Sequence, residues 1–202
     1  MTEHSTNGKI LYTYYIRCYI IAVCLIEFFA FKILDPYYIQ FMTTEKGLEL
    51  TPTQFGFFVS LASAVTSAID YLTGAFADRL GRRLSWGLAM FCYGAGMLWL
   101  SSISAFGPAL VTAVLMGISY AFTSGTREAW LYDSVGQEGT RKAFGKLYLY
   151  SIPFTAIGMV VAYILGGLGS LRIPIALTGV IIIADGLFIM TFPENYGNYR
   201  RR

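Results

Sequence analysis

Histidine and charged residues are scarce in this sequence. His4 is the only histidine among the 202 residues, and charged residues make up 13% of the chain, against about 25% in an average soluble domain. Hydrophobic residues make up 55%. This balance excludes a water-soluble globular domain. Because His4 lies in a polar amino-terminal tail, the apolar part of the chain lacks the base on which most hydrolytic sites depend.

Cysteine and net charge are also limited. Cys18, Cys24 and Cys92 all fall inside apolar runs, so we interpret them as buried apolar residues rather than disulfide partners or metal ligands. The net charge of +3 comes from short clusters between apolar runs. Such clusters suit lipid headgroups better than nucleic acid. We expect no cofactor, no metal and no nucleic-acid partner.

Six apolar runs are long enough to cross about 30 Å of hydrocarbon as helices. They lie near residues 12–34, 55–77, 84–103, 109–130, 143–166 and 174–193. The sequence therefore predicts an all-α integral membrane protein with one transmembrane domain over residues 1–202. The connection from Asp35 to Gln54, which contains Pro36 and Pro52, is predicted to be a loop outside the bilayer.

Lysine and arginine are distributed unevenly between the predicted loops. With the amino terminus inside, eleven lie on the cytoplasmic side: Lys9, Arg79, Arg82, Arg83, Arg127, Arg141, Lys142, Lys146, Arg200, Arg201 and Arg202. Only Lys32, Lys46 and Arg172 lie outside. Because cytoplasmic loops favour positive charge, we expect both termini on the cytoplasmic face of the cell membrane.

A charged segment joins the second and third runs. It reads Gly74-Ala75-Phe76-Ala77-Asp78-Arg79-Leu80-Gly81-Arg82-Arg83. Gly74 permits close helix contact, Gly81 permits a tight turn, and the charges anchor a short loop at the membrane surface. The segment resembles motif A of the major facilitator superfamily, whose transporters normally have twelve helices in two similar halves. The resemblance implies the amino-terminal six-helix half, built as a repeat of three plus three helices.

The resemblance also implies a charge network that gates the transporter. Its members would be Gly74, Asp78, Arg79, Gly81, Arg82 and Arg83, with Asp133 at the cytoplasmic end of helix four. In such transporters the network is a latch that stabilises the state closed to the cytoplasm. The open alternative is that these arginines only follow the preference for positive charge inside.

Four ionisable residues lie within the apolar runs, where a charge costs at least roughly 2.5–3.5 kcal/mol. Arg17 and Asp70 lie at similar depths, which suggests either an ion pair or a gating role. Glu27 has no evident partner at its depth, and the resemblance places helix one along the central cavity. Glu27 is therefore the first candidate for binding a cation or a proton, with Asp70 and Arg17 as further candidates. Asp185 lies in helix six, which the resemblance places at the periphery; there it would be protonated or paired.

One departure from the resemblance concerns helix four. Many proton-driven members carry an arginine deep in this helix, whereas Val111 to Phe122 contains no charge. The resemblance therefore does not carry over their coupling mechanism.

The function expected from these features is secondary active transport of a small solute by alternating access. Its chemistry is binding and gating, so we do not expect an enzyme. The chain would act as a half-transporter in a parallel homodimer with a central cavity, or together with a complementary six-helix half. A non-transporting or truncated half that binds or regulates a full-length transporter is the alternative. An intramembrane serine protease is disfavoured, because it would need a histidine base within the membrane and the apolar runs contain no histidine.

Overall fold

A computed structural model describes the backbone of residues 3–194 and the side chains of residues 12–194 apart from Asp78 and Leu80. The side chain of Asp78 and the tail arginines 200–202 thus lie outside the described residues. The described backbone is helical: α1 (Glu3–Val23), a π-helical segment (Cys24–Ala30), α2 (Phe31–Thr43), α3 (Pro52–Leu80), α4 (Arg82–Ser102), α5 (Phe106–Thr123), α6 (Thr126–Gly166) and α7 (Arg172–Met190).

Four stretches of the described chain are long and apolar enough to cross a membrane. They are Pro52–Ala77, Arg82–Ser102, Phe106–Gly166 and Arg172–Met190. The third stretch has 61 residues and contains both α5 and α6, so it is far longer than the roughly 20 helical residues that one crossing needs. The predicted first crossing is not among the four. An all-helical membrane protein is confirmed, whereas six crossings, the orientation of the termini and the three-plus-three repeat stay predictions.

The first helix is longer than predicted. α1, the π segment and α2 follow one another without a gap as far as Thr43, so the predicted loop from Asp35 to Gln54 shrinks to residues 44–51. Pro36 is accommodated within α2. The helix ends where the hydroxyls of Thr43 and Thr44 donate to the carbonyls of Ile39 and Gln40. α3 then begins with a capping box between Thr51 and Gln54.

The boundary between helices four and five also differs from the prediction. α5 ends at Thr123 rather than near residue 130, because Gly125 has a left-handed φ of 67°. α6 begins at Thr126, and the predicted loop of residues 131–142 is helical apart from Gly136, whose φ of 70° and ψ of −178° interrupt the helix. This correction places Arg127 in the first turn of α6.

α4 lies at the centre of the bundle, between α7 on one side and α5 on the other. A side chain at Gly94 would lie 2.8 Å from the Gly179 carbonyl oxygen, so α4 and α7 are in backbone contact. α3 packs against α5 just as closely, because a side chain at Gly117 would lie 2.6 Å from the Ala62 carbonyl oxygen. α1 and the π segment pack against α6. This packing leaves most of α3 and the second half of α6 uncovered.

Candidate substrate cavity and charge clusters

Three adjoining cavities lie between the helices, and Tyr120 borders all of them. Their volumes are about 160, 310 and 490 Å³. Aromatic side chains form the shared walls: the Phe31 and Tyr93 rings are 5.5 Å apart, and the Tyr93 and Tyr120 rings are 5.9 Å apart. Tyr38 separates the two larger cavities. Together they form one aromatic-walled space, which we call the tyrosine cavity.

An ion pair lines the smallest part of the tyrosine cavity. Arg127 donates from Nη1 to Oε1 of Glu27 in the π segment, and from Nε to Oε1 of Glu128 at 2.8 Å. The Arg127 and Glu27 side chains are 20% and 34% exposed. One guanidinium thus lies between two carboxylates. With all three groups ionised, the cluster carries one net negative charge.

The break at Gly125 explains how Arg127 reaches this position. It turns the chain between α5 and α6, buries Thr126 and directs the first turn of α6 toward the π segment. The expectation that Glu27 lacks a partner was therefore wrong. The assignment of Arg127 to the cytoplasmic side stays a prediction. Sequence reasoning missed Arg127 because the polar run from Ser124 to Glu128 resembles a surface loop. Gly125 was the available signal of a helix break.

The predicted pair of Arg17 and Asp70 does not form. Both residues are exposed, and no ion pair between them is present among the described side chains. The reason is packing: α1 lies mainly against α6, whereas α3 lies mainly against α5. Asp70 instead lies on the uncovered face of α3.

A second charge cluster surrounds the turn between α3 and α4. Arg82 Nη1 lies 2.9 Å from Asp133 Oδ2, with both side chains largely buried. Asp133 belongs to α6, because α5 ends earlier than predicted. The structure thus brings together two of the residues assigned to the charge network. Gly74 and Arg79 are exposed, and the Asp78 side chain lies outside the described residues.

Glu194, four residues after the end of α7, is a member of this cluster that sequence reasoning missed. Its carboxylate accepts the backbone N–H of Arg83 at 3.0 Å and lies 3.2 Å from Arg83 Nε. Arg83 Nη1 also donates to the Phe192 carbonyl at 2.7 Å. Gly81 allows this approach, with a φ of 109° and no side chain to meet Glu194. A carboxylate at the amino end of α4 suits the helix dipole. An acidic residue immediately after the last apolar run was the available signal.

Comparison with known families covers nearly the whole chain. The profile of the Major Facilitator Superfamily matches residues 20–201, or 182 of the 202 residues. The match includes the α3–α4 turn, the π segment with Glu27, and Arg127. A search for similar curated proteins found no match. The profile match shows that the chain belongs to the major facilitator superfamily, and the apolar helices and the charged turn agree with this assignment.

Proposed function

We propose that the chain forms one side of a secondary transporter that binds a small organic cation in the tyrosine cavity and moves it by alternating access. Membrane transport is the activity that the family implies. The observation that carries the more specific proposal is the Glu27–Arg127 pair in the wall of an aromatic cavity. The proposed topology has six crossings and cytoplasmic termini in the cell membrane.

Charge and wall chemistry support a cationic substrate. Glu27, Arg127 and Glu128 together carry one net negative charge, which a positive solute would balance. Aromatic faces attract cations, and the rings of Phe31, Tyr93 and Tyr120 adjoin the ion pair. A cation that approaches Glu27 competes with Arg127 for the carboxylate. Substrate binding would therefore weaken a contact between the π segment and α6, which are parts of two different helices.

The cluster around Arg82 and Asp133 suits the proposed latch. It joins the amino end of α4 to α6, so it restrains helices that also border the tyrosine cavity. Both side chains are mostly buried, which strengthens the attraction relative to an ion pair in water. Opening toward the cytoplasm would separate them. Gly74, Asp78, Arg79, Gly81 and Arg83 would hold the turn in place.

The proposed transporter closes against a second six-helix unit that covers α3. The uncovered face of α3 carries small residues at helical spacing: Ser60, Ser63, Ala64, Ser67, Ala68, Gly74 and Ala75. Small residues on a membrane helix permit close packing with another helix. A side chain at Gly74 would meet nothing within 4 Å in this chain. Asp70 lies on the same face, where an ionised carboxylate needs a partner or water rather than lipid.

The covering unit is a second copy of this chain or a separate half. The 490 Å³ part of the tyrosine cavity borders this same face, because Val59, Ser63 and Ser67 line it and are exposed. The covering unit would therefore complete the cavity wall.

Two ions of matched shape test the cation site. Tetraphenylphosphonium and tetraphenylborate each carry four phenyl rings and differ in the sign of their charge. With the full chain in lipid nanodiscs, we expect tetraphenylphosphonium to raise the melting temperature more than tetraphenylborate does. Glu27→Gln should remove the difference. Glu138→Gln is the matched control, because it neutralises an exposed carboxylate that pairs with Lys142 on the surface of α6. Equal stabilisation by both ions, or a preference that survives Glu27→Gln, would refute a cation site at Glu27.

A further inference from the structure

Asp185 is a buried carboxyl group in the middle of α7. Its side chain is 1% exposed, and neither carboxyl oxygen has a hydrogen-bond partner among the described residues. The peripheral, lipid-facing position implied for helix six is therefore wrong for this residue. Buried polar groups in folded proteins are nearly always hydrogen-bonded, so such an exception needs an explanation.

Asp185 lies next to the tyrosine cavity. Ile182 lines the smallest part of that cavity together with Glu27 and Arg127, and it lies three residues before Asp185 on the same buried face of α7. Met90 of α4 also lines the cavity and contacts Gly186, the residue that follows Asp185. Three residues of helix rise about 4.5 Å. Asp185 is thus about one helical turn beyond the cavity wall that holds the ion pair.

Among the described residues, no charged side chain forms an ion pair with Asp185. The buried or half-buried titratable groups nearest this part of the bundle, on the elements packed against α7, include Cys18 and Tyr19 of α1, Cys24 and Glu27 of the π segment, Tyr38 of α2, Cys92 and Tyr93 of α4, and Arg127, Glu128 and Asp133 of α6. Arg127 is already bound by Glu27 and Glu128. On α2, the residues buried in the bundle are apolar. None of these groups forms a hydrogen bond with Asp185.

An ionised carboxylate in such a place would be desolvated on both oxygens. The neutral acid avoids that penalty, because it carries no net charge to desolvate. A metal cation is a poor alternative, since it needs several oxygen ligands. The described residues contain no cluster of metal-ligating side chains. A proton is the one cation that needs only a single carboxyl oxygen.

We propose that Asp185 is a proton-binding site, occupied in this conformation and emptied in a conformation that lets water reach the carboxyl group from the tyrosine cavity. A carboxylate oxygen takes a proton from the aqueous phase and loses one negative charge; release restores the charge. Because Asp185 binds a proton in one conformation and releases it in the other, pH biases the equilibrium between the two conformations. The coupling to solute movement rests on the transport function proposed above, whereas the protonation of Asp185 does not.

Infrared spectroscopy of the full chain in nanodiscs tests protonation directly. A neutral carboxylic acid has a carbonyl stretch, distinct from that of a carboxylate, which shifts in deuterated water. We expect this band in the wild type at neutral pH, its loss in Asp185→Asn, and its retention in Glu27→Gln. The band should weaken on raising the pH or on adding tetraphenylphosphonium. A band that Asp185→Asn leaves intact, or one that responds to neither treatment, would overturn the proposal.

A transport measurement tests the coupling separately. Asp185→Asn imitates the neutral acid in size and should retain the fold, so we expect uptake of ethidium, an aromatic cation, that no longer varies with pH. Asp185→Glu should restore part of the pH dependence. Wild-type pH dependence in Asp185→Asn would overturn the coupling. If wild type takes up no ethidium while the infrared band behaves as expected, the proposed function fails and the proton site stands.

Discussion

Arg127 and Glu27 are 100 residues apart in the chain and form an ion pair in the wall of the tyrosine cavity. The pair joins the start of α6 to a π-helical segment in the middle of the first helix. π segments are rare and often occur at functional sites. The positions of both residues therefore depend on local departures from a regular α-helix.

The energetic coupling of this pair is the first prediction. Glu27→Gln and Arg127→Gln should each destabilise the protein, by about 1.5–3 kcal/mol for a hydrogen bond between charged groups. The double variant should lose less stability than the two single variants lose together, because each single change leaves the other charge without a partner. Chemical denaturation in mixed micelles measures the free energy of unfolding of each variant relative to the wild type.

The exposed pair of Glu138 and Lys142 is the control for this comparison of single and double variants, which is a double-mutant cycle. Its coupling should be the smaller of the two, because water and salt screen the attraction between exposed charges. If the coupling energy between Glu27 and Arg127 is no larger than that of the exposed pair, the cavity pair contributes nothing beyond a surface contact.

The second prediction concerns the proposed latch. Asp133→Asn removes the charge that holds Arg82, so the state open to the cytoplasm should become more populated. Thr123→Cys, introduced beside the tyrosine cavity in a variant without Cys18, Cys24 and Cys92, reports this opening. A membrane-impermeant maleimide should label it faster from the cytoplasmic side when Asp133→Asn is present.

Glu138→Gln again provides the control, since it removes an exposed carboxylate from the same helix without touching Arg82. If both variants are labelled at the wild-type rate, the Arg82–Asp133 pair does not act as a latch.

Much of the second charge cluster was predictable, whereas the first was not. Arg82 and Asp133 were assigned to one network because the segment containing Arg82 matches a recognisable pattern, and the structure places their charged atoms 2.9 Å apart. Glu27 and Arg127 have no comparable pattern. Their contact depends on a π segment that apolar periodicity does not reveal and on the helix break at Gly125.

Depth along a helix proved insufficient to predict pairing. Arg17 and Asp70 lie at similar predicted depths, yet α1 and α3 have different main packing partners. Asp185 was expected at the periphery but is buried in the bundle. Hydropathy identifies the apolar segments that form membrane helices. It does not show which side of a helix faces its neighbours, because helix packing decides that.

The third prediction concerns Gly81. Its φ of 109° lies in a region that other residues rarely adopt, and a methyl group there would lie 2.7 Å from Glu194 Oε2. Gly81→Ala should destabilise the protein by about 1–3 kcal/mol from backbone strain, with a further loss if Glu194 is displaced. Gly56→Ala is the matched control, because Gly56 is helical and a side chain there meets nothing within 4 Å. Equal melting temperatures for the two variants would contradict the role assigned to Gly81.

The fourth prediction concerns the uncovered face of α3. Gly74→Leu should leave the stability of the single chain unchanged, since nothing in the chain lies within 4 Å of the new Cβ. It should, however, weaken association with the covering unit, because a large side chain blocks close helix packing. Native mass spectrometry in mild detergent measures the dimer fraction. Gly107→Leu is the control, because Gly107 lies in the first turn of α5 rather than on α3, and a side chain there also meets nothing within 4 Å. A wild-type chain that stays monomeric at every concentration would exclude the homodimer and leave a separate six-helix half as the partner.

Uptake of ethidium by proteoliposomes tests whether the protein moves an organic cation through the tyrosine cavity. With the full chain reconstituted and a pH gradient imposed, we expect saturable movement of ethidium that Glu27→Gln reduces at least about tenfold, a loss equivalent to about 1.4 kcal/mol of binding free energy. Glu138→Gln should retain the wild-type rate. Uptake that is unaffected by Glu27→Gln would contradict transport of an organic cation through the tyrosine cavity, and no uptake above protein-free liposomes would contradict transport by a homodimer of this chain.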